Sequence, residues 1–286
     1  MSRLGRTYSL IIRFSENDLI EINPEGVNIE PLRIIFEGEK SATAQGINKL
    51  NLQIYNLEKT KRDRIFKDKE NRMDYFQVIL NIGYNNSQKS TVFQGDIFQA
   101  FTEKKDNDYI TNIICDSGGF DYKNSFTSKT VTRQDVVIDQ LLEDMPNTKK
   151  GVIDLKGIEF PRAKILFGAT FDIINAEVGT DANWFIDDEK LYILKDNQIL
   201  DDIAVVISAS TGMLGVPTRA NTFVEAITLF NPIVRLRGLV QLSSIEAENL
   251  NGLYTVDTIK YKGDTRGEDW KQTLTLRSNT NFEVKK

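Results

Sequence analysis

The run Leu50-Asn51-Leu52-Gln53-Ile54-Tyr55 alternates apolar and polar residues without a break, and this period of two constrains the fold more than any other feature. Successive side chains of an extended strand point to opposite faces, so Leu50, Leu52 and Ile54 share one face while Asn51 and Gln53 share the other. A helix would scatter the same residues around its axis. Similar runs follow one another through residues 1–120: Tyr8–Phe14, Leu32–Phe36 just after Pro31, Tyr75–Ile82, Thr91–Phe101 and Tyr109–Cys115. Between them, the densely charged Glu58–Arg72 reads as a surface loop or short helix, and Gly83-Tyr84-Asn85-Asn86-Ser87 as a turn. About six short strands with polar turns predict a small barrel or sandwich.

The pattern changes after Gly118-Gly119. Thr132-Arg133-Gln134-Asp135 has the composition of a helix start; Val136, Val137, Ile138, Leu141 and Leu142 then recur at helical spacing until Pro146. A second helix is predicted over Ala163–Val178, with an apolar stripe from Ile165 to Ala176 and Gly179 as its stop. Asn183–Leu194 reads as a hairpin, two alternating strands around the acidic turn Asp187-Asp188-Glu189. Strand patterns then return at Ile203–Ala209, Phe223–Phe230, Ile233–Leu242, Leu253–Tyr261 and Trp270–Leu276, with a turn-rich segment at Ser210–Pro217. The expected fold is mainly β with an α+β insertion. Two small β-barrel domains, 1–120 and 203–286, would flank a middle domain, 121–202.

One internal echo links the two β regions. Gly95–Ala100 with Asp108–Asp116, and Tyr254–Ile259 with Asp269–Arg277, each place a strand, a charged loop, an acidic residue, an aromatic and an alternating strand in that order. A duplicated barrel motif and two unrelated hairpins of like composition both fit it.

The chain contains no histidine, which removes Ser-His-Asp triads, Cys-His pairs and imidazole-bearing zinc sites. Cys115, the single cysteine, permits no intrachain disulfide and ends an apolar run, so it is expected in the core rather than as a nucleophile. Asp187-Asp188-Glu189 and Asp201-Asp202 are the candidates for carboxylate-based glycoside hydrolysis. Adjacent acids on a strand point to opposite faces, and turns favour Asp for local reasons, so solvated turns are expected. Thr211-Gly212-Met213-Leu214-Gly215 lacks the Gly-Lys-Ser/Thr ending of a phosphate loop and reads as a structural turn. The basic run Lys59–Lys69 is blunted by Asp63 and Asp68 and reads as solvated, while Trp184 and Trp270 are expected in a core or subunit interface rather than as sugar platforms. No catalytic, cofactor-binding or metal-ligating residue is assigned.

Net charge is −5, which argues against a nucleic-acid binder. The basic start Met1–Arg6 is not followed by the apolar stretch of about 7–15 residues that a signal peptide needs, and no apolar run reaches the ~18 residues of a membrane span. The expectation is a protein made and folded in the cytoplasm, or released from there by lysis, with no membrane binding.

Several motifs of the last third occur in a telling order: Thr211-Gly212-Met213-Leu214-Gly215-Val216-Pro217, Leu229-Phe230-Asn231-Pro232 with Arg237-Gly238, Gly252-Leu253-Tyr254-Thr255-Val256, Tyr261-Lys262-Gly263-Asp264, and Asp269-Trp270. Upstream, Asn183-Trp184-Phe185-Ile186 precedes Leu191-Tyr192-Ile193-Leu194. This order resembles the phage late control protein D and baseplate hub family, with the second barrel and the hairpin before it best matched. The amino-terminal part matches by strand count and by the Asn51–Leu57 strand. Better-known hubs are longer, so the resemblance implies a reduced version.

The resemblance implies a non-enzymatic virion protein of the phage tail baseplate, assembled in the host cytoplasm. It implies a homotrimer whose paired barrels offer six similar faces to a six-fold tail tube. Tail tube protein, central spike protein, tape-measure protein and other baseplate proteins would be its partners, and DNA only a passing cargo. A type VI secretion or tailocin origin fits the same residues. A carboxylate-based tail lysin and a carbohydrate-binding tail protein remain the alternatives.

Overall fold

A computed structural model describes residues 5–23, 32–42, 46–71, 73–84, 89–133, 136–155, 159–180, 182–201, 203–278 and 283–285. Pro31, the turn residues Asn85–Ser87, the helix-start residues Gln134-Asp135, and Asp202 lie outside them.

The first region builds β1 (Arg6–Ser15), β2 (Asp18–Ile22), β3 (Ile34–Ser41), β4 (Gly46–Ile47), β5 (Lys49–Tyr55), α1 (Lys59–Ile65), β6 (Gln77–Tyr84), β7 (Ser90–Lys105) and β8 (Asp108–Asp116). β5 keeps the predicted phase: Leu50, Leu52 and Ile54 are buried and Lys49 and Asn51 exposed. β2, not expected from the sequence, forms a hairpin with β1 in which Ile20 faces Ile12 and Ile22 faces Leu10.

The middle region contains α2 (Gly119–Asn124), β9 (Phe126–Arg133), α3 (Val137–Leu142), β10 (Lys149–Ile153), β11 (Glu159–Ala169), α4 (Thr170–Val178), β12 (Asn183–Asp187), β13 (Lys190–Leu194) and β14 (Gln198–Ile199). The helix predicted over 163–178 is corrected: its first half is β11 and only its second half is α4. Leu166 is 2% exposed while its neighbours Ile165 and Phe167 are 75% and 72% exposed, which is strand alternation. β11 has a partner in β9, whose polar sequence Phe-Thr-Ser-Lys-Thr-Val-Thr-Arg gave little strand signal. The switch from strand to helix falls after Gly168, whose φ of 141° suits glycine alone.

The last region builds β15 (Val205–Ser208), a 3₁₀ turn at Ala209–Thr211, β16 (Met213–Ala220), β17 (Phe223–Leu229), β18 (Leu239–Ser243), a second 3₁₀ turn at Glu248–Leu250, β19 (Gly252–Asp264), β20 (Trp270–Ser278) and β21 (Glu283–Val284). Two boundaries differ from expectation. β16 starts inside the predicted turn-rich segment, and of the predicted strand Ile233–Leu242 only the part from Leu239 is extended. The preceding turns hold Arg237 at φ 56°.

Strands of the first and last regions join in one thirteen-stranded sheet, ordered β16-β17-β20-β19-β3-β5-β8-β7-β6-β1-β2, with β18 also on β19 and β15 on β18. The join is β3 against β19, antiparallel from Ser41 opposite Thr258 to Ile35 opposite Asp264. It is tight: a Cβ on Gly38 would lie 2.4 Å from the Tyr261 ring, and one on Gly263 2.1 Å from the Phe36 ring. Phe36 and Trp270 pack edge to face beside it, and both regions share one apolar core. The middle region has its own core around Ile138, Leu141, Phe171, Ile174 and Trp184. The fold is therefore mainly β with an α+β insertion, built on open sheets.

Candidate functional site

The acidic turn between β12 and β13 is the densest group of titratable residues that the sequence singles out. Asp187 faces Lys190, and Asp188 and Glu189 take φ of 49° and 59°, the left-handed pair of a tight hairpin turn. The turn is not solvated, as composition suggested; it is pressed into the large sheet. Lys40 Nζ lies 2.7 Å from Asp187 Oδ1 and 2.9 Å from Asp188 Oδ1. Asn48 Nδ2 donates to Asp187 at 3.1 Å, and the Gln94 backbone N–H donates to Asp188 at 2.9 Å. Glu189 accepts from Gln77 Nε2 and Gln94 Nε2, each at 2.7 Å, and from the Tyr75 hydroxyl.

Burial raises the Asp188 carboxyl, opposed by Lys40 and reinforced by Asp187. Burial also works to lower the Lys40 ammonium, but the two carboxylates outweigh it and hold the ammonium above its ordinary value. Each of these carboxylates is engaged by this chain's own donors. The arrangement clasps the middle region to the sheet. Among the described residues no cluster of His, Cys, Asp or Glu could hold a metal ion.

Lys40 gives little sign of this role in the sequence, sitting in Glu37-Gly38-Glu39-Lys40. The available signal is phase: Ile34 and Phe36 are buried at alternate positions, and Lys40 continues that inward series. Asp96 and Lys67 form a second buried polar centre that composition did not mark. Asp96 Oδ1 accepts the Phe120 N–H at 3.0 Å, and Lys67 Nζ donates to the Ile97 carbonyl at 2.6 Å.

The other sequence candidates are internal. Cys115 is fully buried, and burial, then Asp96 and Asp116, pushes its thiol well above the ordinary range. Trp184 fills the middle core and donates to Asn175 Oδ1 at 2.6 Å; Trp270 is 2% exposed, with Arg6 over its ring. Along Lys59–Lys69, Arg64 pairs with Asp18, Arg62 lies over the Tyr109 ring and Lys67 is buried, while Lys59 and Lys69 stay exposed. Thr211 Oγ1 donates to the Val206 carbonyl and closes a 3₁₀ turn, with Gly212 at φ 101°. Asp201 accepts the Ile203 N–H in a local turn.

The sequence echo reappears in the strand register. In the β7–β8 hairpin Ile97 faces Cys115 and Gln99 faces Ile114, so Phe98 bulges between them. In the β19–β20 hairpin Val256 faces Leu276 and Thr258 faces Thr275, so Asp257 bulges at the corresponding place. The likeness extends outward. Val78 of β6 faces Gly95, as Val240 of β18 faces Tyr254. Leu50 of β5 faces Cys115, as Val224 of β17 faces Leu276. Two half-sheets, β3-β5-β8-β7-β6-β1 and β16-β17-β20-β19-β18-β15, thus share neighbours and register. They differ at one end, where β1 runs antiparallel to β6 but β15 runs parallel to β18.

Solved structures share this architecture. A tail protein from Neisseria meningitidis MC58 matches with a TM-score of 0.63 at 8% identity, over 95% of this chain and 97% of its own. The 43 kDa tail protein of prophage MuSo2 from Shewanella oneidensis matches with a TM-score of 0.61 at 7% identity, over 94% and 98%. The E. coli c3393 protein, described as a type VI secretion component similar to the T4 tail proteins gp27 and gp5, matches with a TM-score of 0.60 at 8% identity, over 90% and 76%. No curated protein sequence matches. The fold is that of these phage tail and type VI secretion proteins.

The model of the baseplate hub gp41 family matches residues 19–275. This chain belongs to that family. Its role is that of a structural component of a phage tail baseplate hub, and so of the virion.

Proposed function

We propose that three copies of this chain form a ring whose two half-sheets per subunit present six similar faces to a six-fold tail tube, while the ring's three-fold symmetry suits a central spike. The observation that carries this reading is the shared register of the half-sheets, down to bulges at Phe98 and Asp257. A protein that must meet six tube subunits with three of its own needs each subunit to offer the same surface twice. In this reading residues 1–120 and 203–286 act as barrel-like units and 121–202 as the domain between them. The ring sits between tube and spike near the end of the tape-measure protein, among other baseplate proteins, and is assembled in the host cytoplasm. DNA passes through as cargo, with a net charge of −5 disfavouring its retention.

The role is non-enzymatic. The acids that a lysin would need are tied to Lys40, Asn48, Gln77 and Gln94, and both tryptophans are packed inside rather than offered to a sugar. Size-exclusion chromatography with light scattering tests the reading. It predicts a mass three times the 32.6 kDa of one chain and no clearing of a peptidoglycan suspension. A monomer that clears peptidoglycan would overturn it.

A further inference from the structure

One strand of the large sheet holds the middle region in a reciprocal way. Gln94 and Asp96 stand two apart on β7. The Gln94 N–H donates to Asp188 Oδ1 of the acidic turn at 2.9 Å, and Asp96 Oδ1 accepts the Phe120 N–H of α2 at 3.0 Å. α2 travels with the middle region. Tyr122 packs on Phe171 of the middle core, and Asp121 accepts from the Thr148 hydroxyl at 2.7 Å and the Asn147 N–H at 3.0 Å. One carboxyl thus stands on each side of the contact. The apolar part of the docking lies elsewhere, where β12 pairs with β4 and where Phe185 and Leu194 pack into the large core. Gly118, at φ 75° just before α2, is a joint between the two bodies. A region with its own core can pivot on the apolar contact when the polar one weakens.

Asp96 is 2% exposed, and it faces Lys67 after α1, Asp116 and the Cys115 thiol on β8, Lys123 on α2 and the Tyr75 hydroxyl before β6. Neither ammonium is given over to it. Lys67 Nζ donates to the Asp74 and Ile97 carbonyls, and Lys123 Nζ lies over the Phe98 ring and 3.5 Å from Asp116. Burial therefore prevails and raises the Asp96 carboxyl to about 7. A cavity of about 10 Å³ between Phe98, Phe120 and Lys123 adjoins Asp96 and reaches the exposed Lys69. It has the room of about one water, which gives the proton a path. Asp188 faces Lys40 of β3, Asp187 beside it, Tyr192 of β13 and Tyr261 of β19. Burial raises it to about 6, but its side chain is 32% exposed, so its share is the smaller.

We propose that the contact of β7 with α2 and the acidic turn is a proton-operated latch. It is closed while Asp96 and Asp188 carry their protons and opens as they lose them, and the middle region then pivots on β12 while both cores stay folded. The motion lies within one chain and does not depend on the proposed ring. Once undocked, both carboxyls return to water and to an ordinary value near 4. Docking is then strongest below that value and weakens as pH rises through about 6 and about 7. From pH 5 to pH 8 the docking equilibrium should fall roughly a hundredfold through Asp96, and at most about tenfold through Asp188. The facing groups add no slope in this range. Lys40 is held above its ordinary value and stays charged, while the Cys115 thiol and the Tyr75, Tyr192 and Tyr261 hydroxyls are raised and stay neutral. Lys67 is lowered by burial, but its carbonyl partners belong to the sheet region and stay with it in both states.

The test is hydrogen exchange of the full chain at pH 5 and pH 8, read at single amides by mass spectrometry and corrected for the intrinsic rate at each pH. The Gln94 and Phe120 amides, which donate to the two carboxyls, should lose roughly a hundredfold more protection than Leu52 of the sheet core and Ile174 of the middle core. Asp96→Asn keeps an acceptor for Phe120 and has no proton to lose, so it should remove most of that difference. Asp188→Asn, at a left-handed position that asparagine suits, should remove at most about tenfold of it. Light scattering at both pH values follows the state of association. Equal losses at all four amides would mean that the whole chain opens, and would overturn the latch. So would a full pH dependence surviving in Asp96→Asn, or a loss of protection that tracks a change in mass. Should Asp96→Asn not fold, the four amides of the wild-type chain decide the matter alone.

Discussion

Lys40 of the large sheet and Asp187 of the middle region form a buried ion pair at 2.7 Å between residues far apart in sequence. Removing one partner of such a pair leaves the other charge buried without compensation, at a cost of about 3–5 kcal/mol. Lys40→Met is therefore expected to lower unfolding free energy by about that amount in urea titrations. Adding Asp187→Asn and Asp188→Asn should recover part of the loss, because the stranded charges go with them. A cost below about 1 kcal/mol would show that the clasp contributes no more than a surface pair.

Asp96 makes the fold sensitive to pH. Burial raises its carboxyl to about 7, opposed by the Phe120 N–H and Lys67. A raised pKa means the folded chain holds the proton more tightly than the unfolded one. Its contribution is therefore full below the unfolded value near 4 and is lost as pH rises through about 7. Between pH 5 and pH 8 this one group should cost about 2–3 kcal/mol. Asp96→Asn keeps the acceptor for Phe120 and has no proton to lose, so its stability should fall less over the same range. Equal losses in variant and wild type would contradict the assignment.

The junction of the two half-sheets depends on absent side chains. A methyl group on Gly263 would meet the Phe36 ring, and one on Gly38 the Tyr261 ring. Overpacking of this kind costs about 1–3 kcal/mol, so Gly263→Ala should lower the thermal midpoint, measured by calorimetry. An unchanged midpoint would mean that β3 and β19 are not held in this register.

β11 offers a direct check on its strand assignment. Leu166→Ala should cost about 2–5 kcal/mol, since its side chain is buried. Ile165→Ser and Phe167→Ser, at exposed positions, should each stay within about 0.5 kcal/mol of wild type. If all three cost alike, the alternation is wrong.

Much of this fold is readable locally. β5 announces itself through Leu50, Leu52 and Ile54, the β12–β13 hairpin through its alternation around Asp187–Glu189, and the half-sheet likeness through two hairpins of matching order. What is not readable is set by distant partners. β9 is polar at most positions and becomes a strand because β11 pairs with it; β11 in turn carries enough apolar residues to resemble a helix. The clasp was invisible because Lys40 and Glu189 are charged residues in charged surroundings, which composition assigns to solvent. Only the sheet brings Gln77, Gln94 and Lys40 to the turn. Nor does any local signal join β3 to β19, since the glycines that permit the contact lie more than two hundred residues apart.

The most direct measurement is an electron cryomicroscopy map of the hub bound to its tail tube. The account predicts three copies of this chain in which the β3-β5-β8-β7-β6 and β16-β17-β20-β19-β18 half-sheets each contact one tube subunit through corresponding strands, giving six near-identical contacts. A ring in which only one half-sheet of each chain touches the tube, or in which the two halves touch it through unrelated surfaces, would contradict it.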